Sequence, residues 1–98
     1  MYVNPIRKKT VAGETQVYEF DQEVTHFLVL NTSGGDVVVS FDQDGNGNSW
    51  IVPDGAWRRI PGYETENRQK TVYVTAKATS AADSGVEIEA IRYCLSRR

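Results

Sequence analysis

Apolar and polar residues alternate with a period of two along most of this chain. The alternation is clearest in Thr71–Ala78 and in Val86–Ala90. Successive side chains of a β-strand point to opposite faces, so this period predicts strands. No window of about 11 residues shows the apolar spacing of a helix. The sequence therefore predicts an all-β protein.

Turn-forming residues divide the chain into about seven or eight short strands, a spacing that predicts an antiparallel β-sandwich, Ig-like or jelly-roll-like. The predicted strands are Glu14–Phe20, Thr25–Asn31, Asp36–Phe41, Trp50–Val52, Ala56–Ile60, Thr71–Ala78 and Val86–Cys94.

Three details of this sandwich can be predicted. Thr25–Asn31 is almost continuously apolar, as expected of a central strand that is covered on both sides. The short Gly-Gly link after it predicts a hairpin with Asp36–Phe41. Ile91 and Tyr93 lie on the opposite parity to the apolar residues before them, which predicts a β-bulge near Ala90–Ile91.

A chain of 98 residues is long enough for one domain. We expect an extended N-terminal arm at residues 1–12, a sandwich domain at 13–95 and a basic tail at 96–98. The first ten residues are too polar to pack alone, so an ordered arm would imply a neighbouring subunit.

Charge and composition exclude several classes of function. The net charge is −2, which argues against a nucleic-acid footprint. No apolar stretch approaches the length of a transmembrane helix, and the N-terminus has no secretory signal pattern, so we expect no membrane partner. The single cysteine, Cys94, cannot form an intrachain disulfide, in keeping with synthesis in a reducing cytoplasm.

Residues suited to catalysis are scarce. We expect His26, the one histidine, to pack at a sheet edge, and Cys94 to be a small buried hydrophobe. Ser40 has no recognisable base, and Asp36, Asp42 and Asp54 stand at turns, where aspartate bonds to the backbone. We therefore predict no catalytic residue, no cofactor and no metal.

The loop Asp42–Asn48 admits two interpretations. Its oxygen side chains at alternate positions, followed by glycine, match the start of an EF-hand loop, so Asp42, Asp44 and Asn46 could form a weak cation site. The closing position of that loop is Pro53 instead of glutamate. A hairpin turn rich in Gly and Asn is therefore favoured.

Aromatic residues are numerous and also admit two interpretations. Trp50, Trp57 and Tyr63 beside a polar loop could stack on sugars, whereas exposed tyrosines could anchor a protein interface. We expect Trp50 to fill the core. We expect at least one of the tyrosines, which include Tyr63, Tyr73 and Tyr93, to lie in an interface.

Basic residues are concentrated near the chain ends and in one middle strand, which favours docking on an acidic partner surface. The expected contact residues are Tyr2, Pro5, Arg7, Lys8, Lys9, Arg58 and Arg59.

The run FLVLNTSGGDVVVSFDQDGNGNSWIVPDG, followed by an aromatic and basic strand and then by VYVTAKATSAADSGVEIEAIRY, covers about two thirds of the chain. This order of strands and turns resembles that of small structural proteins of tailed-bacteriophage virions. The resemblance implies a β-sandwich accessory subunit and transfers no catalytic residue.

On this basis we expect a non-enzymatic virion protein, made in the host cytoplasm. It would be a capsid decoration or cement subunit that binds the major capsid protein or other virion proteins, and it could form a homo-oligomer. One alternative is a head–tail connector or tail component, and another is a carbohydrate-binding module.

Overall fold

The computed structural model describes residues 2–20, 26–42, 49–61 and 71–91, and eight β-strands lie within these ranges. The strands are β1 (Tyr2–Lys8), β2 (Thr15–Glu19), β3 (His26–Asn31), β4 (Val37–Ser40), β5 (Ser49–Val52), β6 (Trp57–Pro61), β7 (Thr71–Ala76) and β8 (Val86–Ile91). Among these residues, no helix is long and apolar enough to cross a membrane.

The strands form two antiparallel four-stranded sheets that pack face to face. The front sheet has the order β1-β8-β3-β6 and the back sheet has the order β2-β7-β4-β5. The pairs β1–β8, β2–β7, β3–β6 and β4–β5 are nested, as if one long hairpin had been wrapped into two layers. This is the strand order of a jelly roll. The predicted all-β antiparallel sandwich is confirmed, with the jelly-roll order of its two alternatives.

The core lies between the sheets and follows the sequence alternation. Val72, Val74 and Ala76 of β7 are buried, as are Val86 and Ile88 of β8, while the residues between them face outward. The remaining core side chains come from β2 and the residue after it, from β3 to β6, and from the end of β8. These are Tyr18, Phe20, Phe27, Val29, Val37, Val39, Val52, Ile60 and Ala90.

The predicted hairpin between β3 and β4 is wrong, because the two strands belong to different sheets. The turn that joins them carries the chain from the front sheet to the back sheet. Asn31 ends β3 and is fully buried at this corner, where its Nδ2 donates to the carbonyl oxygens of Gly35 and Val52, each at 2.8 Å. Its Oδ1 accepts from the Ser33 backbone N–H at 2.9 Å and from the Ser33 hydroxyl at 2.7 Å.

The predicted bulge at Ala90–Ile91 is also wrong in its position. Pairing between β3 and β8 is continuous as far as His26 and Ile91. The irregularity lies in β1, between Val3 and Ile6, opposite the regular β8. Tyr93, the other residue of that argument, lies outside the described residues.

The segment that we assigned to an arm pairs along β8 as the edge strand β1. Ile6 packs against the core from this strand. The order of residues 2–8 therefore comes from pairing within the same chain and requires no neighbouring subunit. The predicted tail at 96–98 lies outside the described residues.

Tyr18 joins the two sheets by its phenol group. Its hydroxyl, carried by β2, donates to the backbone carbonyl of Val86 in β8 at 2.7 Å, and the side chain is fully buried. The Lys8 ammonium lies 5.6 Å from the centre of the ring. Burial raises the pKa of Tyr18 well above its ordinary value because the interior disfavours the phenolate.

Replacing Tyr18 with phenylalanine is expected to lower the free energy of unfolding by about 1–2 kcal/mol at neutral pH, since the Val86 carbonyl loses its donor. Because the folded pKa is raised, the stabilisation is complete below about pH 10 and is lost as the pH rises above it. The difference between the two proteins should therefore shrink in alkali. Urea denaturation at neutral and alkaline pH measures it, and a constant difference would contradict the assignment.

Candidate binding face

The outer face of the front sheet carries an exposed apolar patch. Leu28 and Leu30 of β3 point away from the core, and Leu30 is 40% exposed. Trp57, next to Leu30 on β6, is 65% exposed. With Glu87 and Glu89 of β8, these residues line a shallow depression of about 280 Å³, called the front patch below.

Strand register explains how the front patch is assembled. Leu30 is paired with Glu87 on one side and with Trp57 on the other, so these three side chains form one row across the sheet. Leu28 is paired with Glu89 and with Arg59, which form the next row. An apolar centre on β3 is thus flanked by acids on β8 and by Trp57 and Arg59 on β6.

The two leucines correct one prediction and explain a sequence signal. The apolar run of β3 indicated a strand covered on both sides, but Phe27 and Val29 alone face the core, and Leu30 is exposed. An antiparallel sandwich strand with one face in water normally alternates between apolar and polar residues. Since β3 breaks this rule, its outer face has the composition of a surface that is covered by something else.

Trp57 gives the front patch the composition of a binding hot spot. Tryptophan and arginine are among the residues most enriched at the energetic centres of interfaces, because the indole buries a large rigid area and the guanidinium makes several directed hydrogen bonds. Trp57 and Arg59 are two residues apart on the outer side of β6, and both side chains are exposed. An exposed Trp costs solvation energy in the isolated chain, so binding that covers it would be favourable.

Charge is divided across this face. Glu87 and Glu89 stand two residues apart on the same side of β8, and Arg59 lies across β3 from them. His26 occupies the end of β3, between Ile91 and Pro61. Burial and the nearby positive charge of Arg59 lower the pKa of His26 from its ordinary value, which favours the neutral imidazole.

His26 was predicted to pack at a sheet edge, and that prediction is wrong because β3 is an inner strand, paired on both sides. Ser40 donates its hydroxyl to the backbone carbonyl of Asp42, two residues further on, and Asp54 accepts from the Gly34 N–H, which belongs to a different turn. The described ranges contain no group of three or more potential metal ligands.

The predicted cation loop is only partly covered by the structure. Asp42 is exposed, and residues 43–48, which include Asp44 and Asn46, lie outside the described residues. The strands on either side, β4 and β5, pair as an antiparallel hairpin.

The basic residues that we predicted as contacts do not form one surface. Pro5, Arg7, Lys8 and Lys9 lie on or next to β1, whereas Arg58 and Arg59 lie on β6. These strands are the opposite edges of the front sheet. The two groups are therefore separated by the width of the front sheet, about 14 Å. Tyr2 also belongs to β1.

Several of these side chains interact within the chain. The Arg7 guanidinium donates to the backbone carbonyl of Asp83 at 2.5 Å. Arg58 donates to the Ile51 carbonyl at 3.4 Å and so links the free edges of the two sheets. Charged side chains and proline on edge strands hinder pairing with other chains, which is a structural role for Pro5 and Arg58.

The aromatic residues separate into two groups. Trp50 is half-buried and packs against the core, with its ring 5.2 Å from that of Phe41. Trp57 is exposed on the other sheet, so the two tryptophans do not form a common stacking platform. Tyr73 is half-buried on the back sheet. Tyr63, Tyr93 and Cys94 lie outside the described residues.

The outer face of the back sheet provides a contrast to the front patch. Its central rows carry hydroxyl and β-branched residues, and the Thr15 and Thr75 hydroxyls share a hydrogen bond of 2.8 Å. Ile51 is 54% exposed there and makes a matched control for Trp57. Comparison of the chain with protein-family models, with curated proteins and with solved structures found no match.

Proposed function

We propose that this protein is a non-enzymatic binding subunit that docks on a partner protein through the front patch. The observation that carries the proposal is the pair of outward-facing leucines on β3, Leu28 and Leu30, beside the exposed Trp57 of β6. A sandwich fold supports many unrelated activities, so the proposal depends on this surface and not on the fold.

We propose further that the partner belongs to a tailed-phage virion and that the protein is a capsid decoration subunit. The resemblance of its strand and turn order to virion proteins supports this proposal. Jelly rolls are also frequent in viral capsid proteins, which is an argument from analogy. A head–tail or tail position remains the nearest alternative, since it differs only in the partner.

The mechanism of such a subunit is added interface. A standard protein interface buries about 1,600 Å² in total, and this area must be exposed again before the joint can open. Trp57 and the β3 leucines would lie at its centre, with the acids and Arg59 at the polar rim. Binding of many copies to a repeated lattice multiplies a modest affinity for each site.

The proposal predicts that the coding sequence stands among virion structural genes. It also predicts that the full chain sediments with empty heads assembled from the neighbouring capsid protein. Trp57→Ala should weaken this binding by about tenfold or more, because hot-spot residues of this type contribute at least ~2 kcal/mol. Quantitative co-sedimentation of each variant measures the effect.

Ile51→Ala is the matched control, since it removes an exposed apolar side chain from the other sheet. It should bind heads like the wild type. A gene remote from virion genes, or a chain that stays in the supernatant, would contradict the virion proposal. Equal losses for the two variants would contradict the front patch as the docking face.

Deletion of residues 1–9 is not a suitable test of the contacts that we predicted near the N-terminus. Removal of residues 1–9 would remove β1 and uncover the edge of β8. Substitution of Lys9 with serine leaves the strand intact, because Lys9 follows β1 and is exposed. The basic residues stay a proposal for contacts that add to the front patch.

A carbohydrate-binding module is the second candidate, and the exposed Trp57 beside two carboxylates favours it. Tryptophan rings stack on sugars, and carboxylates accept bonds from sugar hydroxyls. Titration with a panel of soluble oligosaccharides should then change tryptophan fluorescence in the wild type and not in Trp57→Ala. A response that survives this substitution would contradict it.

A further inference from the structure

We propose that the front patch accepts a lysine or arginine side chain from the partner protein, an inference that rests on the docking function proposed above. Three parts of the depression fit such a side chain: the aliphatic floor, the indole ring and the pair of carboxylates.

The floor consists of Leu28 and Leu30, which are aliphatic and adjacent on the outer side of β3. Lysine and arginine bury their methylene stems along apolar surface while the charged end stays polar. A wall of the depression is Trp57, whose exposed ring can receive a cation on its face. The indole and the floor therefore hold the stem and part of the charged group.

The charge of the occupant follows from Glu87 and Glu89. Their Cα atoms are about 7 Å apart, since residues i and i+2 of a strand share a face. Two like charges at this separation repel each other weakly, and a cation placed between them removes the repulsion and gains two attractions. A neutral occupant such as a sugar would leave the repulsion in place.

Other cations of this face compete for the same carboxylates. Arg7 is paired with Glu87 across β1 and β8, but its guanidinium also donates to the Asp83 carbonyl. Arg59 is separated from Glu89 by Leu28 and β3, a distance of about 10 Å between the two strands. The lowered pKa of His26 disfavours a further positive charge at the end of β3. Arg59 should therefore oppose the binding of a cation, whereas the two glutamates favour it.

The test uses the full chain labelled with ¹⁵N and two small probes, N-acetyl-L-lysine methylamide and its uncharged analogue N-acetyl-L-norleucine methylamide. The lysine probe should shift the Trp57 indole signal and the backbone amides of Leu28 and Leu30. The indole of Trp50 is an internal control, because it packs inside the protein. The norleucine probe should bind at least about threefold more weakly.

Substitutions show whether each charged or aromatic residue favours or opposes binding of the lysine probe. Glu87→Gln with Glu89→Gln should weaken the lysine probe by about fivefold, and Trp57→Ala by about threefold. Arg59→Gln should strengthen binding by about twofold, because it removes the competing cation. Glutamine has nearly the size of glutamate, and Arg59 is exposed, so the far-ultraviolet circular dichroism of the glutamine variants should be unchanged.

The inference is overturned if both probes bind equally, if the glutamine variants bind lysine like the wild type, or if Arg59→Gln weakens binding. Shifts produced by cellobiose that persist in the glutamine variants would assign the patch to a sugar and overturn it as well. A protein that takes the lysine probe but does not sediment with heads contradicts the virion proposal alone. Heads that bind the double glutamine variant like the wild type contradict the cationic anchor alone.

Discussion

Replacing Asn31 with aspartate is expected to lower the free energy of unfolding by about 3 kcal/mol or more at neutral pH, the largest loss that we expect from one nearly isosteric change. The Asn31 side chain uses both of its N–H donors and accepts twice, so all its bonding capacity is satisfied. A carboxylate has no donor. It would face the carbonyls of Gly35 and Val52, two acceptors, inside a buried corner.

The loss should depend on pH in a defined direction. In the folded variant the new carboxyl lies beside two carbonyls and is buried, so its pKa is raised above the unfolded value of about 4. Its contribution to stability is then largest below that value and falls as the pH rises. Urea denaturation at acid and neutral pH measures the two losses, and we expect the smaller loss in acid.

Asp54→Asn is the matched control, because it makes the reverse exchange on the same corner. The Asp54 carboxylate accepts from the Gly34 N–H at 2.8 Å on the exposed side, and an amide oxygen can accept the same bond. This variant should stay within about 0.5 kcal/mol of the wild type. An Asn31→Asp protein as stable as Asp54→Asn at neutral pH would show that the corner is not held by Asn31.

Replacing Gly85 with alanine is expected to lower the free energy of unfolding by about 3 kcal/mol. A Cβ at this position would overlap the backbone carbonyl of Lys8, the last residue of β1. Gly85 is also fixed from its other side, since its carbonyl accepts from the Thr32 N–H at 2.8 Å and from the Thr32 hydroxyl at 3.0 Å. Neither neighbour can move without losing pairing.

Thermal unfolding by circular dichroism measures this loss. Ser84→Ala is the control, because it adds no atom near Lys8 and changes the residue directly before Gly85. We expect a loss below about 1 kcal/mol for that variant. A stable Gly85→Ala protein would mean that β1 can leave β8 without cost, and would return residues 2–8 to the role of a free arm.

The sequence contained enough information for the strands and for which of their faces form the core. Thr71–Ala76 and Val86–Ala90 alternate so regularly that their buried faces could be named directly. Strand β1 was missed because Pro5, Arg7 and Lys8 interrupt its pattern, and among its described side chains Ile6 packs against the core. Pairing with β8 supplies the order that local pattern does not.

Pairing partners could not be predicted from local turns. The Asn31–Asp36 segment has the composition of a hairpin turn. Such a composition predicts that the chain reverses direction, but it does not predict which sheet the next strand joins. The deciding interaction is the bond from Asn31 to the Val52 carbonyl, 21 residues away. No short window of sequence contains both groups.

Only some residues of the front patch could be recognised from the sequence. Leu28 and Leu30 were recognised as apolar and were assigned to burial, because a run of apolar residues does not show which face lacks a cover. Trp57 was named beside Trp50, and only the register separates the core tryptophan from the exposed one. Glu87 and Glu89 carried no motif, and strand order alone brings them beside β3.

The pairing of β1 with β8 has a consequence for biosynthesis. The first of the described strands stays without its partner until the ribosome has completed the last of them, and β2 must likewise wait for β7. Contacts so distant along the chain close slowly. The sandwich therefore assembles only after β8 has been translated, and until then Pro5 and the basic residues of β1 hinder the pairing of that strand with other chains.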